Sequence, residues 1–150
     1  MTLRTPLAAN VRRHGAMITG HCLCGSIAYE YDGLVGPAGY CHCDDCRRRS
    51  GSAFGISVMV EAVRLKIVRG QPKSFTNRGE SGAELMRSFC PECGSALFTT
   101  SAKHPLHVYV QAGSLDDPGV VKPSQQSWTR SAVSWATIDP ALPTFKKGRT

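Results

Sequence analysis

Three cysteines stand within six positions near the middle of the chain. They are Cys41, Cys43 and Cys46 of the segment YCHCDDCRRRS, which continues at once with three arginines. Tetrahedral zinc sites with a purely structural role usually have four protein ligands, whereas catalytic zinc keeps one position open. A cluster of three thiols therefore predicts a structural site completed from elsewhere, a catalytic site with a free position, or a metal-free redox cluster.

The other four cysteines form two close pairs. Cys22 and Cys24 belong to the segment HCLCGS, and Cys90 and Cys93 belong to FCPECGS. A Cys-x-x-Cys pair with proline after the first thiol and glycine after the second is typical of a tight turn whose backbone N–H groups point at the sulfurs. Each pair supplies two thiolates, which is half of a closed zinc site.

Spacing alone does not decide which groups combine. Paired zinc-binding turns are commonly separated by about 15–20 residues, whereas Cys46 and Cys90 are 44 positions apart (90 − 46). Counting favours the two outer pairs, because a site built from Cys22, Cys24, Cys90 and Cys93 leaves the middle three thiols together. Cys41, Cys43 and Cys46 would then hold a second zinc with an open position, where the metal acts as a Lewis acid or holds a thiolate.

The middle cluster also has a purely structural interpretation. His42 or Asp45 would close it as a fourth ligand. His42 lies between two ligands, where strain hinders simultaneous binding, so we expect it to support the site or to face solvent. The remaining histidines show no ligand spacing.

The arginines after the cluster suggest an anionic substrate. Cations beside thiols lower their pKa and make them better ligands and nucleophiles, and guanidinium groups bind carboxylates. Arg47 and Arg48 are therefore candidate substrate-binding residues. The alternative is that they only balance the charges of Asp44 and Asp45.

Composition indicates an ordinary globular chain. The 150 residues are 41% hydrophobic and 19% charged, which suits one domain with a single core.

The formal charge of +7 counts every thiol as neutral. Two zinc sites with four and three thiolates would carry −2 and −1, which lowers the net charge to +4 (7 − 2 − 1), so we do not expect a nucleic-acid partner. No apolar run reaches the length of a membrane span, and no secretory signal is evident. We therefore expect a cytoplasmic protein without a membrane partner, in which seven cysteines serve metal binding rather than disulfides.

The elements that position these groups are mainly strands. Apolar residues alternate with polar ones over 27–31, 54–60, 63–67 and 106–110, and turn signals separate these segments. The sequence therefore predicts an all-β fold over residues 17–148, preceded by a flexible extension at residues 1–16. One helical turn is expected at residues 43–50 and another at 124–131. Trp128 and Trp135 are expected in the core, with the C-terminal segment covering a sheet edge.

The three cysteine groups, in this order, resemble the family of glutathione-dependent formaldehyde-activating enzymes, which includes centromere protein V. Further matching motifs are GSLDDP at residues 113–118, Trp135, and Leu142 with Pro143. The resemblance implies a β-tent fold of small antiparallel sheets tied by a structural zinc on Cys22, Cys24, Cys90 and Cys93. It places the catalytic zinc on Cys41, Cys43 and Cys46. The chain departs from the family at residues 122–127, which lack the histidine that members often carry.

The resemblance also implies an activity. It is the joining of formaldehyde to the thiol of glutathione to give S-(hydroxymethyl)glutathione, formally a carbon–sulfur lyase reaction run in reverse. The expected partners are thus glutathione or another small thiol and a small aldehyde. Two other functions stay open from the residues: a non-catalytic zinc module that binds a protein or nucleic acid, and a thiol redox sensor.

Overall fold

The computed structural model of the protein describes residues 17–148. Strands form most of the regular structure there, with one short α-helix and four single turns of 3₁₀ helix. In chain order the elements are β1 (Ile18–His21), β2 (Ala28–Tyr31), β3 (Ala38–Cys41), α1 (Asp44–Ser50), β4 (Gly55–Glu61), β5 (Leu65–Arg69), β6 (Lys73–Arg78), β7 (Glu84–Phe89), β8 (Ala96–Ser101), β9 (His107–Gln111) and β10 (Pro123–Ser127).

Two sheets make up the fold. A small sheet has the order β1-β2-β5, and a large one has the order β10-β3-β4-β9-β8-β7-β6. All strand pairs are antiparallel except β10 with β3, which is parallel. The predicted all-β, β-tent architecture is confirmed: antiparallel sheets meet at the cysteine turns, since Cys22 and Cys24 connect β1 to β2 and Cys90 and Cys93 connect β7 to β8.

The core lies between the two sheets. Tyr29 of the small sheet packs edge-on against Phe98 of the large one, with ring centroids 4.9 Å apart. The Tyr29 hydroxyl hydrogen-bonds the Ser114 hydroxyl at 2.6 Å, and burial raises the pKa of Tyr29 to about 12. Tyr29 thus joins the sheets while its one polar atom keeps a partner.

A close backbone contact holds the turn after β5 against the first cysteine turn. Gly70 has φ +73°, and a Cβ placed there would lie 2.2 Å from the carbonyl oxygen of Ser26. Gly82 has φ +79° but would direct its Cβ into open space. The two glycines therefore share a left-handed backbone but not a steric restriction.

This contrast predicts unequal costs for the same substitution. Gly82→Ala should lower the free energy of unfolding by about 1–2 kcal/mol, the cost of a left-handed L-residue. Gly70→Ala should cost about 1–3 kcal/mol more, because the new methyl group collides with backbone. Chemical denaturation of the two variants measures the difference. Equal losses would contradict the expectation and show that the contact relaxes.

Helix α1 matches the turn predicted at residues 43–50. Cys43 is its N-cap, and the Cys43 sulfur accepts a hydrogen bond from the backbone N–H of Cys46. Asp44 and Asp45 occupy the first turn, where the helix dipole favours acids, and the last turn is basic. Gly51, with φ +65°, ends the helix.

Three expectations need correction. Residues 124–127 belong to β10 rather than a helical turn, and only Thr129–Ser131 forms a 3₁₀ turn. Residues 124–127 are all polar, so the sequence shows no alternation there, and the strand forms through main-chain pairing with β3.

The two tryptophans are not both in the core. Trp135 has 72% of its surface exposed, and Trp128 is only partly buried. Likewise, the apolar face predicted over 63–67 is partly buried only at Leu65, which packs against the core, whereas Val63 and Ile67 are 83% and 47% exposed.

The C-terminal segment does cover a sheet edge, as expected. The backbone N–H of Gln126 donates to the carbonyl of Pro143, and the N–H of Phe145 donates to the carbonyl of Gln126. The edge of β10 is therefore paired by the segment that follows it. The extension predicted at residues 1–16 lies outside the described residues. Within the described range, no helix has the length and apolar character required to traverse a bilayer.

Candidate metal centres

Four sulfurs meet where the two sheets join. Cys22, Cys24, Cys90 and Cys93 place their Sγ atoms within 4.8 Å of one another. The Cys22–Cys24 and Cys24–Cys90 sulfur separations are 3.6 and 3.8 Å. Cys22 and Cys90 are buried, whereas Cys24 is exposed. The structure thus brings the two outer pairs together, across 66 positions of sequence between Cys24 and Cys90.

Similar turns shape both halves of this cluster. The backbone N–H of Cys22 donates to the carbonyl of Ile27, and that of Cys90 donates to the carbonyl of Ser95. Gly25 and Gly94 follow with φ +76° and +75°, and their N–H groups donate to the carbonyls of Cys22 and Cys90. A left-handed glycine at each turn keeps the thiols on one side.

Two serines surround these sulfurs with hydroxyl groups. Ser26 Oγ lies 3.1 Å from the Cys24 sulfur and 3.2 Å from that of Cys90. Ser95 Oγ lies 3.2 Å from the Cys93 sulfur and accepts the backbone N–H of Leu23 at 2.9 Å. Sequence reasoning missed both serines, although each follows the glycine of its turn directly.

Hydrogen bonds favour the thiolate form of two cysteines in this cluster, Cys93 and Cys22. The Ser95 hydroxyl and backbone N–H groups lower the pKa of Cys93 to about 5. Burial raises the pKa of Cys22, but the backbone N–H of Ile27 and the Ser26 hydroxyl outweigh burial and lower the pKa to about 7. Thiolates are the form of cysteine that binds metals.

The second cluster lies at the start of α1. The Sγ atoms of Cys41, Cys43 and Cys46 lie within 4.8 Å of one another, and those of Cys41 and Cys43 are 3.4 Å apart. Cys41 ends β3, Cys43 caps the helix, and Cys46 lies in its first turn. A Cβ on Gly55 of β4 would lie 3.2 Å from Cys46 Cβ, so a glycine there leaves room for the ligand.

One thiol of this cluster ionises first. Hydrogen bonds from the thiols of Cys41 and Cys43, helped by the charges of Arg49 and Arg87, lower the pKa of Cys46 to about 3. The neighbouring sulfurs and burial instead raise the pKa of Cys41. Closely spaced thiols that compete for one negative charge suit a cation placed between them.

Neither candidate for a fourth ligand joins the three sulfurs. Among the described residues, the cluster contains no histidine nitrogen or carboxylate oxygen. His42 is fully buried rather than solvent-facing, and its Nε2 lies 3.1 Å from Gln126 Oε1. Asp45 Oδ2 instead accepts hydrogen bonds from Asn77 at 2.8 Å and from Arg87 at 3.1 Å. The cluster therefore offers three protein donors.

Two cavities flank helix α1. One, of about 440 Å³, is lined by Arg47, Arg48, Gly51, Ser52 and Trp135. Arg47 also pairs with Asp44 at 3.5 Å. The other, of about 400 Å³, lies between α1 and strands β6–β8. Arg48 borders both, and Arg49 faces the second cavity alone.

The donor sets and burial of both clusters fit a metal ion. Soft thiolates at short separations are what zinc and similar ions require, and each cluster contains at least one thiol with a lowered pKa. The protein is thus a small β protein whose sheets join at a four-thiol cluster. A three-thiol cluster lies at the start of its only α-helix within residues 17–148.

Comparison with known proteins agrees with this architecture. Residues 17–131 match the model of the glutathione-dependent formaldehyde-activating enzyme family, and the chain belongs to that family. A crystal structure of a Rhodobacter sphaeroides protein is similar, with a TM-score of 0.55 and 20% sequence identity over 85% of this chain and 98% of that chain. At that identity the likeness shows the fold alone. No curated protein matches the chain.

Proposed function

We propose that the protein is a zinc-dependent carbon–sulfur lyase that joins a small aldehyde, formaldehyde, to glutathione or a related thiol. The three-sulfur cluster of Cys41, Cys43 and Cys46 carries the proposal. It has three protein donors, as catalytic zinc sites do, and the protein belongs to a family described by this chemistry.

The two clusters have different roles in this proposal. Cys22, Cys24, Cys90 and Cys93 hold a structural zinc that ties the small sheet to the large one, and Cys41, Cys43 and Cys46 hold the catalytic zinc. When bound there, zinc supplies a Lewis acid and favours the thiolate form of a sulfur ligand. The buried contact between His42 and Gln126 fixes the end of β3, and the Cys43 cap fixes the start of α1.

The reaction is an addition without redox change. A carbon–sulfur bond forms between the thiol sulfur and the aldehyde carbon, the carbonyl π bond opens, and the thiol proton ends on the new hydroxyl oxygen. The protein has to place thiol and aldehyde together, which is a large part of catalysis for two small reactants. Arg47 and Arg48 contribute positive charge for the carboxylates of the thiol substrate.

An exchange experiment tests the proposal. The adduct also forms without a catalyst, so the rate matters rather than the yield. We expect catalytic amounts of the zinc-loaded protein to accelerate exchange between free formaldehyde and S-(hydroxymethyl)glutathione in two-dimensional exchange NMR. Metal analysis should find more than one zinc per chain, with one of them perturbed by glutathione. A single inert zinc and an unchanged exchange rate would contradict the proposal.

A further inference from the structure

The cavity between α1 and strands β6–β8 has a mixed lining. Aromatic rings of Phe75 and Phe89 form apolar walls, and three guanidinium groups and one carboxylate supply charge. The guanidinium groups belong to Arg48, Arg49 and Arg87, and the carboxylate belongs to Asp45. A cavity of about 400 Å³ suits part of a small ligand.

Two of the charged groups already satisfy each other. Arg87 is buried, and its Nη2 donates to Asp45 Oδ2 at 3.1 Å. Its Nε donates to Asn77 Oδ1 at 3.0 Å, and Asn77 Nδ2 donates to Asp45 at 2.8 Å. The negative charge of Asp45 is therefore offset inside this network, and Arg87 has little left to offer a ligand.

Arg49 is in a different position. Its Nε and Nη1 are buried, and within residues 17–148 neither has a hydrogen-bond partner. No carboxylate in the described part of the chain pairs with it. The ionised thiols of the neighbouring cluster supply opposite charge, but they accept no hydrogen bond from these two nitrogens, and a buried N–H group without an acceptor is costly. Arg49 also lies one helical turn from Cys46, and its charge acts on the thiols of all three clustered cysteines.

We propose that Arg49 makes this cavity a carboxylate subsite and selects thiol substrates that carry a carboxylate. The inference rests on the proposed function, and it names the residue that sets the substrate class. Positive charge beside apolar walls attracts an anion more strongly than the same charge in water, and a guanidinium–carboxylate contact is charge-assisted. Sequence position alone does not separate Arg49 from Arg47 and Arg48. Arg47 pairs with Asp44 and Arg48 is exposed, whereas Arg49 has buried nitrogens without hydrogen-bond partners among the described residues.

Two ligands without a free thiol test the subsite independently of catalysis. S-methylglutathione keeps both carboxylates, and its diethyl ester has neither. The full zinc-loaded chain is titrated with each in a calorimeter. We expect Arg49→Gln to weaken binding of S-methylglutathione by about 10- to 100-fold, the size of a lost charge-assisted contact. Binding of the diethyl ester should stay within about twofold of wild type, because there is no carboxylate to lose.

Arg78→Gln is the matched control. Arg78 lies on β6 and donates to the carbonyl of Gly82, away from the cavity lining. The Arg78→Gln substitution removes one positive charge, as Arg49→Gln does, but outside the cavity. Binding of S-methylglutathione should therefore be unchanged. Zinc content and thermal unfolding verify the fold of each variant. If Arg49→Gln does not fold, Arg49→Lys replaces it, with a smaller loss that is still confined to the carboxylate ligand.

The outcomes separate the inference from the proposed reaction. Wild-type affinity in Arg49→Gln, equal losses for both ligands, or no binding of S-methylglutathione to the wild-type protein overturns the subsite. A selective loss in Arg49→Gln supports it, even if the wild-type protein fails to accelerate formaldehyde exchange. In that last case the proposed reaction fails while the carboxylate subsite stands.

Discussion

A variant with serine in place of Cys90 is expected to lose its cooperative unfolding transition at neutral pH. Cys90 is fully buried, and its sulfur lies near the Cys24 sulfur and the Ser26 hydroxyl. A serine hydroxyl does not ionise at this pH and is a poor ligand for a metal ion that prefers soft thiolates. Structural zinc contributes about 10–16 kcal/mol in small zinc modules, while whole domains are stable by only about 5–15 kcal/mol.

Near-UV circular dichroism during heating measures this loss. Treating the wild-type protein with a strong zinc chelator should produce the same non-cooperative state, because both treatments break the link between the sheets. Cys43→Ser is the matched control, since it makes the same chemical change in the other cluster. A Cys90→Ser protein that unfolds cooperatively with an unchanged zinc content would show that this cluster does not hold a structural metal.

Strands were predictable where burial imposes alternation. Tyr29 and Tyr31 of β2 are buried, and the residues between and beside them are only partly so, which a period of two anticipates. Strand β10 gives no such signal, since its residues Ser124 to Ser127 are all polar. Its position depends on pairing with β3 and with the segment near Pro143, and such long-range pairing leaves no local pattern.

The candidate sites divide in the same way. The spacing of Cys90 and Cys93, with proline after the first thiol and glycine after the second, anticipates a tight turn, because these residues determine its local geometry. Spacing does not anticipate the contact of Arg87 with Asp45, which joins residues 42 positions apart on different elements. Nor does it show that Arg49 is the arginine of α1 with buried, unpartnered nitrogens. Those features depend on how β7 packs beside the helix.

The second large effect is expected for Cys43→Ser, which should abolish catalysis while the fold persists. Cys43 has two roles: its sulfur belongs to the three-thiol cluster, and it caps α1 by accepting the N–H of Cys46 at 3.4 Å. Serine is among the best N-cap residues, so the substitution removes the soft ligand and keeps the cap. Exchange between formaldehyde and its glutathione adduct should fall to the uncatalysed rate, and bound zinc should fall by one ion per chain.

Stability decides what this cluster is for. If its metal serves catalysis, Cys43→Ser should change the free energy of unfolding by no more than about 1 kcal/mol, as for a substitution that keeps the cap. Cys43→Ala removes the cap as well and should cost a further ~1 kcal/mol. If Cys43→Ser instead unfolds as completely as Cys90→Ser, the cluster holds a second structural metal, and the open fourth position has no catalytic meaning. A three-thiol cluster serves as a site of ligand exchange only when the fold persists without its metal.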